Sequence, residues 1–288
     1  MPSKCEGIRM LEEKSRTITK TQLAKELGVS RQSLYYVKKR DMLDVEVKLQ
    51  IEAVLTHHGE YGHKRIAMAL KLNKKRISRI MKKYNLHPFK SPPVRPVKAG
   101  DVGKIPSETP NYLLHLCPIA PYVVWCADFT YIKYQEKFIY LATIIDLYTR
   151  EIVGWNISRF HSKDLVIGAL QDAVKRTTNT PLYLHSDQGS EYDSQEYKET
   201  AQLLRITLSM SDKASPWQNG HQESFFGRFK TEFGDVRNYP TLGELIEAIH
   251  HHIIYYNTER IHPSLKTTPE MFKQNYVNSL QKMKGMTV

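Results

Sequence analysis

The chain has 288 residues, of which 41% are hydrophobic and 10% aromatic, and this is enough for one sizeable core with small accessory domains. Its net charge is +12, and its few cysteines form no CxxC pair, which argues against a disulfide-stapled domain and favours a reducing, intracellular setting. The longest apolar run, residues 138–145, is far too short to span a membrane, and the charged residues 1–16 lack the apolar segment of a secretory signal.

The positive charge is concentrated in the N-terminal third of the chain. Residues 1–98 carry 23 Lys and Arg against 9 Asp and Glu, whereas residues 99–288 carry 19 against 21. A small, strongly basic region joined to a larger, nearly neutral one is the electrostatic footprint of a nucleic-acid reader attached to a second function. A merely solubilising charge would not be distributed so unevenly.

Residues 1–43 are predicted to form a helix-turn-helix domain. The segment 21–27 has a helical pattern, Gly28 permits the positive φ of a turn, and Ser30 can cap the next helix. In the helix-turn-helix proteins that this pattern resembles, the second helix lies in the major groove of DNA. Four residues would then face the groove: Arg31, Gln32, Ser33 and Tyr36. An ordinary helical hairpin is the alternative.

Residues 44–86 are predicted to form a second helical unit, and residues 87–120 a proline-rich linker. In the segment 74–84, apolar residues recur at i, i+3, i+4 and i+7, which indicates an amphipathic helix with one buried face. Its other face is basic and is expected to contact DNA phosphates rather than read bases. The candidates for these contacts are Lys75, Arg76 and Arg79.

Residues 121–288 are predicted to form an α/β core. Three β-rich runs separated by short turns indicate an antiparallel meander, and they are followed by alternating helices and short strands. The predicted strands are 123–131, 138–145, 152–157, 182–185 and 207–210, and the predicted helices are 162–176, 195–204 and one that contains Glu223.

Three acids in this core stand where a structural carboxylate is not expected. Asp128 lies in the middle of an apolar, aromatic strand, where a charge is costly unless it is paired or metal-bound. Asp187 follows the fourth strand, and Glu223 begins a helix with 35 residues between the two. Lys230 lies seven residues after Glu223, so the two residues are about 20° apart around a helix. Separate structural roles for the three acids are the alternative.

These acids and their spacing resemble the Asp, Asp, Glu triad of DDE transposases and retroviral-type integrases. Lys230 and a C-terminal pattern are similar to those of the bacterial insertion-sequence-three family, and the resemblance covers nearly everything from Tyr61 to Phe272. That pattern consists of Tyr256, Asn257, Arg260, His262, Leu265, Thr268 and Pro269. The resemblance implies a ribonuclease-H-like mixed sheet flanked by helices, preceded by two helix-turn-helix units.

The resemblance also implies chemistry. Such an enzyme binds the inverted-repeat ends of its mobile element, cuts to free a 3′ hydroxyl, and uses that hydroxyl to attack another phosphodiester. Two Mg²⁺ ions, for which Mn²⁺ can substitute, would serve the reaction, and our hypothesis is that Asp128 bridges both while Asp187 and Glu223 each hold one. Lys230, Gln218 and Asn219 would contact DNA. Pairing two ends implies a homo-oligomer, and the resemblance places the protein in the bacterial cytosol and nucleoid, without a membrane partner.

The chain departs from the family pattern in two ways. It lacks the paired cysteines of the retroviral zinc module, and it has no heptad run of zipper length before Tyr61. Two rival functions follow from parts of the pattern. A DNA-binding regulator with an inactive core has no need of three acids and Lys230, and a sequence-independent nuclease has little use for two helix-turn-helix units.

Overall fold

The computed structural model describes residues 19–35, 39–89, 109–114, 116–212 and 219–285. It contains a basic helical region followed by an α/β core with one mixed sheet. None of the helices in these segments is long and apolar enough to cross a membrane.

The first helix of the predicted helix-turn-helix, α1, spans Lys20–Glu26 and begins with a capping box. Thr19 accepts a hydrogen bond from the Gln22 amide, and the Gln22 side chain accepts one from the Thr19 amide. Gly28 has the predicted positive φ, at 62°, and Ser30 caps the next turn by accepting from the Ser33 amide. That turn, Arg31–Tyr35, is a 3-10 segment rather than the regular α-helix expected from the sequence, and Tyr36 lies outside the described residues.

The second helical unit consists of three helices around its own apolar core. Their bounds are Lys39–His57 for α2, His63–Ala69 for α3 and Lys74–Lys83 for α4. The core contains Val47, Ile51, Tyr61, Ile66, Ala67, Ile77, Ile80 and Met81. The predicted amphipathic face of α4 is therefore buried as expected. The predicted boundary between residues 43 and 44 falls inside α2, because that helix is continuous from Lys39.

The α/β core is built on a five-stranded sheet in the order β3-β2-β1-β4-β5. The strands are β1 Val124–Tyr134, β2 Lys137–Asp146, β3 Ile152–Ser158, β4 Tyr183–Ser186 and β5 Thr207–Met210. The first three strands form an antiparallel meander, whereas β4 and β5 run parallel to β1. This is the topology of the ribonuclease-H-like fold, so the predicted fold class is confirmed.

Helices cover both faces of the sheet. Their bounds are Lys163–Thr177 for α5, Gln195–Leu203 for α6, Gly220–Glu232 for α7, Leu242–Thr258 for α8 and Pro269–Gly285 for α9. The α5 and α6 helices pack with Trp125, Ala127 and Ile144 on one face, while α7 and α8 pack with Ile132, Leu141 and Ile145 on the other. Ser162 occupies the N-cap position of α5, but its side chain makes no capping hydrogen bond.

The linker predicted over residues 87–120 is described at its two ends only. Near its C-terminal end, the Met210 amide donates to the Pro110 carbonyl oxygen at 3.2 Å, and the Tyr112 amide donates to Ser209 Oγ at 3.0 Å. This part of the predicted linker therefore lies along the open edge of β5 and satisfies its backbone.

Candidate catalytic site

The site begins where β1 and β4 run side by side. Cys126 and His185 are paired in the parallel register, and Asp128 and Asp187 each lie two residues further along. Residues two apart on a strand project to the same face, and neighbouring strands are about 4.8 Å apart. Asp187 is the first residue after β4, which ends at Ser186. The fold therefore places the two aspartates next to each other on one face, at the end of the shorter strand.

The same face of the sheet carries α7. Asp128 pairs with Thr143 across the antiparallel β1–β2 ladder, so their side chains lie on one side. The Thr143 hydroxyl donates to Gln222 Oε1 at 3.1 Å, and Gln222 is in the first turn of α7. The helix that contains Glu223 consequently lies over the face on which Asp128 is found.

Gln222 fastens the start of α7 to the sheet. Its side-chain nitrogen donates to the carbonyl oxygens of Cys126, at 2.5 Å, and Thr143, at 3.0 Å, and the residue is fully buried. Buried amides of this kind are costly unless hydrogen-bonded, and this one is satisfied on both its oxygen and its nitrogen. Gln222 was not among the functional residues predicted from the sequence, although a signal was present. It stands at position i of the i, i+3, i+4, i+7 series whose other members are Phe225, Phe226 and Phe229.

Among the predicted DNA contacts that lie in the described segments, Asn219 is buried inside the protein. Its side chain is 5% exposed, and its amide nitrogen lies 3.4 Å from the Ala127 carbonyl oxygen. The expectation that Asn219 is free to touch DNA is therefore wrong, because the residue packs between α7 and β1. Gln218 lies outside the described residues.

Glu223 and Lys230 are both exposed on α7, as their spacing predicts. The Lys230 ammonium lies 4.4 Å from the centre of the Tyr131 ring. Although the residue as a whole is exposed, partial desolvation of its side chain against the strand lowers the pKa of Lys230, and the negative charge of Asp128 opposes the shift. Lys230 is thus a cation held against β1, within the electrostatic influence of Asp128.

The register of β1 and β4 gives Asp128 and Asp187 matching positions, two residues beyond a paired Cys126 and His185. Within the described segments, no three His, Cys, Asp or Glu side chains are close enough to hold one metal ion. Hard divalent cations such as Mg²⁺ prefer carboxylate oxygens, so the donor set of Asp128, Asp187 and Glu223 suits them chemically. Three metal-free carboxylates also repel one another, and this opposes their approach. Holding one ion with all three carboxylates would therefore require these side chains to rearrange.

The loop after β4 is held in place by neighbouring polar contacts. The Gly189 amide donates to Asp187 Oδ1 at 3.0 Å, and a Cβ at Gly189 would lie 3.0 Å from that oxygen and 3.2 Å from Glu191 Oε2. Glu191 in turn pairs with His161 at 2.8 Å, and the His161 ring is stacked over Phe129, the residue after Asp128. These contacts connect the loop that contains Asp187 to strand β1, which contains Asp128.

The predicted DNA contacts of the helical region have different surroundings. Arg31, Gln32, Ser33 and Lys75 are exposed. Arg76 donates to the Leu43 carbonyl oxygen at 3.5 Å, whereas Arg79 makes a bidentate ion pair with the buried Asp44, at 2.5 and 2.7 Å. The guanidinium of Arg79 is therefore engaged within the unit.

A basic cleft of about 530 Å³ lies between α3 and α4. The cations that line it are Lys64, Lys74, Lys75, Arg79 and Lys82. Several cations along one open cleft are expected to attract a nucleic-acid backbone.

The C-terminal pattern proves to be structural. Asn257 accepts from the Ile152 amide at 2.9 Å and donates to the Ile152 carbonyl oxygen at 3.0 Å, and so extends the edge of β3. Arg260 is 3% exposed and forms a bidentate ion pair with Glu232, at 2.5 and 2.7 Å. Thr268 caps α9 by accepting from the Met271 amide at 3.2 Å, and Pro269 is the first residue of that helix.

Comparisons with known proteins agree with this architecture. Two family models, both described as an integrase core domain, match residues 118–216 and 204–269. The chain is 33% identical over 235 residues to the transposase for insertion sequence element IS904 of Lactococcus lactis. That alignment covers 79% of this chain and 91% of the other protein. It is 28% identical over 285 residues to the putative transposase InsK for element IS150 of Escherichia coli. That alignment covers 94% of this chain and 99% of InsK.

Among solved structures, the magnesium complex of the HTLV-2 integrase catalytic core, in its trimeric form, matches 54% of this chain and 98% of that chain, with 19% identity and a TM-score of 0.43. The sheet order and the matched integrase core define the class of protein, a DDE polynucleotidyl transferase. The relatives narrow this class further. The chain belongs to the insertion-sequence-three family of bacterial transposases.

Proposed function

We propose that the protein binds the inverted-repeat ends of its own insertion sequence and catalyses metal-dependent strand cleavage and strand transfer there. The observation that supports the proposal is the parallel register of β1 and β4, which gives Asp128 and Asp187 matching positions, together with the attachment of α7 to the same face through Gln222. Asp128, Asp187 and Glu223 are the proposed catalytic residues. Two Mg²⁺ ions held by these carboxylates, or Mn²⁺ in their place, would activate the attacking oxygen and stabilise the leaving oxygen.

The proposed reaction has two steps, strand cleavage and strand transfer. In strand cleavage, water attacks the phosphorus at the element end, the bond from phosphorus to the 3′ oxygen breaks, and a 3′ hydroxyl is released. In strand transfer that hydroxyl attacks a second phosphodiester, so one phosphorus–oxygen bond forms while another breaks, and the leaving 3′ oxygen takes up a proton. Lys230, which lies near Asp128, would hold the terminal phosphates against the acids.

The helical region would supply most of the DNA affinity. The domains proposed for this role are residues 1–43 and 44–86, with residues 87–120 as the connection to the catalytic core at 121–288. Arg31, Gln32 and Ser33 would face one groove, and the cleft that contains Lys75 would follow the phosphate backbone. Two ends must be held together for strand transfer, so a homo-oligomer in the bacterial cytosol and nucleoid is part of the proposal.

The test uses labelled DNA that carries the terminal repeats flanking the gene, in the presence of Mg²⁺. We expect the native chain to cut at the 3′ end and to join strands, and Glu223→Gln to lose both activities. Glu199→Gln, which changes an exposed carboxylate on α6, is the matched control and should retain them. Tight DNA binding without chemistry by the native chain, in Mg²⁺ and in Mn²⁺, would instead identify a DNA-binding regulator.

A further inference from the structure

A buried ion-pair network joins the second helical unit to the catalytic helix. Glu232 is the last residue of α7, and its side chain is 3% exposed. Its Oε1 accepts from Arg65 of α3, at 3.1 Å, and from Arg260, at 2.7 Å, while its Oε2 accepts a second bond from Arg260 at 2.5 Å. One carboxylate therefore holds a cation from each side of the boundary between the helical unit and the core.

Further contacts surround this network and exclude water from it. The Ile261 amide donates to the Tyr61 hydroxyl at 2.8 Å, and His58 Nδ1 lies 2.8 Å from the Tyr255 hydroxyl. The Arg65 side chain is only 8% exposed. Hydrogen bonds and charge from Arg260 and Arg65 overcome the effect of burial and hold the pKa of Glu232 below its usual range. The carboxylate is therefore ionised at neutral pH.

Such a network contributes more to geometry than to stability. The cost of burying three charges offsets most of their attraction, and the best-attested use of buried ionic groups is to fix the register between packed elements. Glu223 lies nine residues before Glu232 on the same helix, which corresponds to about 13 Å along the helix axis. A displacement at the Glu232 end is therefore carried along α7 to Glu223 and Lys230.

We propose that Arg65 and Glu232 are positioning residues, through which the second helical unit sets the place of Glu223 and Lys230 over the aspartate pair during strand transfer. This inference rests on the proposed function of Glu223. It assigns the helical unit a second role beside DNA binding, because the unit becomes a structural support of the catalytic helix. The part of the C-terminal pattern that participates is Arg260, which orients the Glu232 carboxylate from the core side.

The test separates position from affinity. Arg65→Met removes the ion pair between Arg65 and Glu232 but leaves the bidentate Arg260–Glu232 pair in the core. We expect the single-turnover rate of strand joining at saturating DNA to fall about 10-fold or more, with the Kd for DNA ends within about twofold of native. Arg65→Lys, which keeps the charge, should recover part of the rate. Lys48→Met is the matched control, since it removes an ion pair confined to α2, with Glu52, and should leave the rate unchanged.

A structural measurement accompanies the kinetics and does not depend on catalysis. Spin labels at Lys75→Cys on α4 and Lys175→Cys on α5, in a Cys5→Ser, Cys117→Ser background, report the distance between the helical unit and the core. We expect a narrow distribution in the native chain and a broader one with Arg65→Met. A native joining rate, or an unchanged distribution, in Arg65→Met would overturn the inference. Absence of joining by the native chain would count against the proposed function, and the spin-label distances would still decide whether Arg65 fixes the two parts together.

Discussion

The side-chain amide of Gln222 donates a 2.5 Å hydrogen bond to the carbonyl oxygen of Cys126, two residues before Asp128. This bond fastens α7, which contains the proposed catalytic residue Glu223, to the strand that contains Asp128. Glu223 is the next residue on the helix, so its position over the sheet depends on a buried neighbour.

Gln222→Met is expected to destabilise the protein and to slow strand joining. The substitution keeps the length of the side chain but leaves the buried Thr143 hydroxyl and the Cys126 carbonyl without their partners, at a cost of about 2–3 kcal/mol. Urea unfolding measures this cost. Gln202→Met, at an exposed position on α6, should change the free energy of unfolding by less than about 0.5 kcal/mol. Equal stability of the two variants would contradict the role given to Gln222.

Gly154→Ala and Gly227→Ala are expected to change stability in opposite directions. A Cβ at Gly154 would lie 2.5 Å from the Ala173 Cβ and 2.6 Å from the Ala169 carbonyl oxygen, so β3 and α5 would be forced apart at a cost of about 3 kcal/mol. At Gly227 an added Cβ meets no atom within 4 Å, and alanine should stabilise α7 by about 0.5–1 kcal/mol. Thermal unfolding of the two variants compares them directly. A tolerated Gly154→Ala would mean that β3 and α5 pack less closely than described.

Lys230→Met is expected to reduce the salt dependence of DNA binding. A lysine that contacts one phosphate contributes about one unit to the slope of log K against log[salt], so the slope should fall by about 1. Fluorescence anisotropy at salt concentrations from about 50 to about 200 mM measures this slope. Lys175→Met, at an exposed position on α5 away from the acids, should leave it unchanged. An unaltered slope in Lys230→Met would remove Lys230 from the DNA contacts.

Acid is expected to weaken the second helical unit through Asp44. The hydrogen bond from Arg79 holds the pKa of Asp44 well below its usual range, although burial opposes this shift, and Lys83 adds to the lowering. Because the pKa is lower in the folded state, the ion pairs stabilise the unit above the unfolded pKa of about 4, and this contribution is lost progressively as the pH falls below it. Hydrogen exchange of the amides in residues 44–86, measured from about pH 3 to about pH 7, follows the loss of this stabilisation.

Asp44→Asn provides the comparison for the acid effect. The variant lacks the titrating carboxylate, so the difference in protection between it and the native chain should shrink as the pH falls. Glu46→Gln, at an exposed position on the same helix, should behave as the native chain does. A difference that stays constant with pH would show that Asp44 does not titrate with folding.

Much of the core could be predicted from the sequence because its signals are local. Alternating and continuous apolar runs predicted all five strands, and the acid in an apolar strand marked Asp128. The Phe225, Phe226 and Phe229 face of α7 was also predicted, and these three side chains are buried. In the second helical unit, the amphipathic spacing of α4 identified the residues that form its core.

The contacts that position the candidate site could not be predicted from local sequence patterns. Arg65 and Glu232 are 167 residues apart in the chain, and neither has a local pattern that distinguishes a buried ion pair from solvated charge. Asn219 is polar and lies in a turn-rich stretch, so its burial is a tertiary effect. The position of Glu223 over the sheet has the same origin, because it depends on how Gln222 fastens α7 rather than on the composition of the helix.

The parallel pairing of β1 with β4 also bears on the stage of folding at which the two aspartates come together. The meander that contains Asp128 pairs neighbours in the chain, whereas Asp187 is 59 residues further on and reaches its place only through the non-local β1–β4 contact. Such contacts require the closure of a long loop and form slowly. We therefore expect the two aspartates to be assembled after the local meander, and a chain interrupted before β4 contains a strand with one acid but no pair of them.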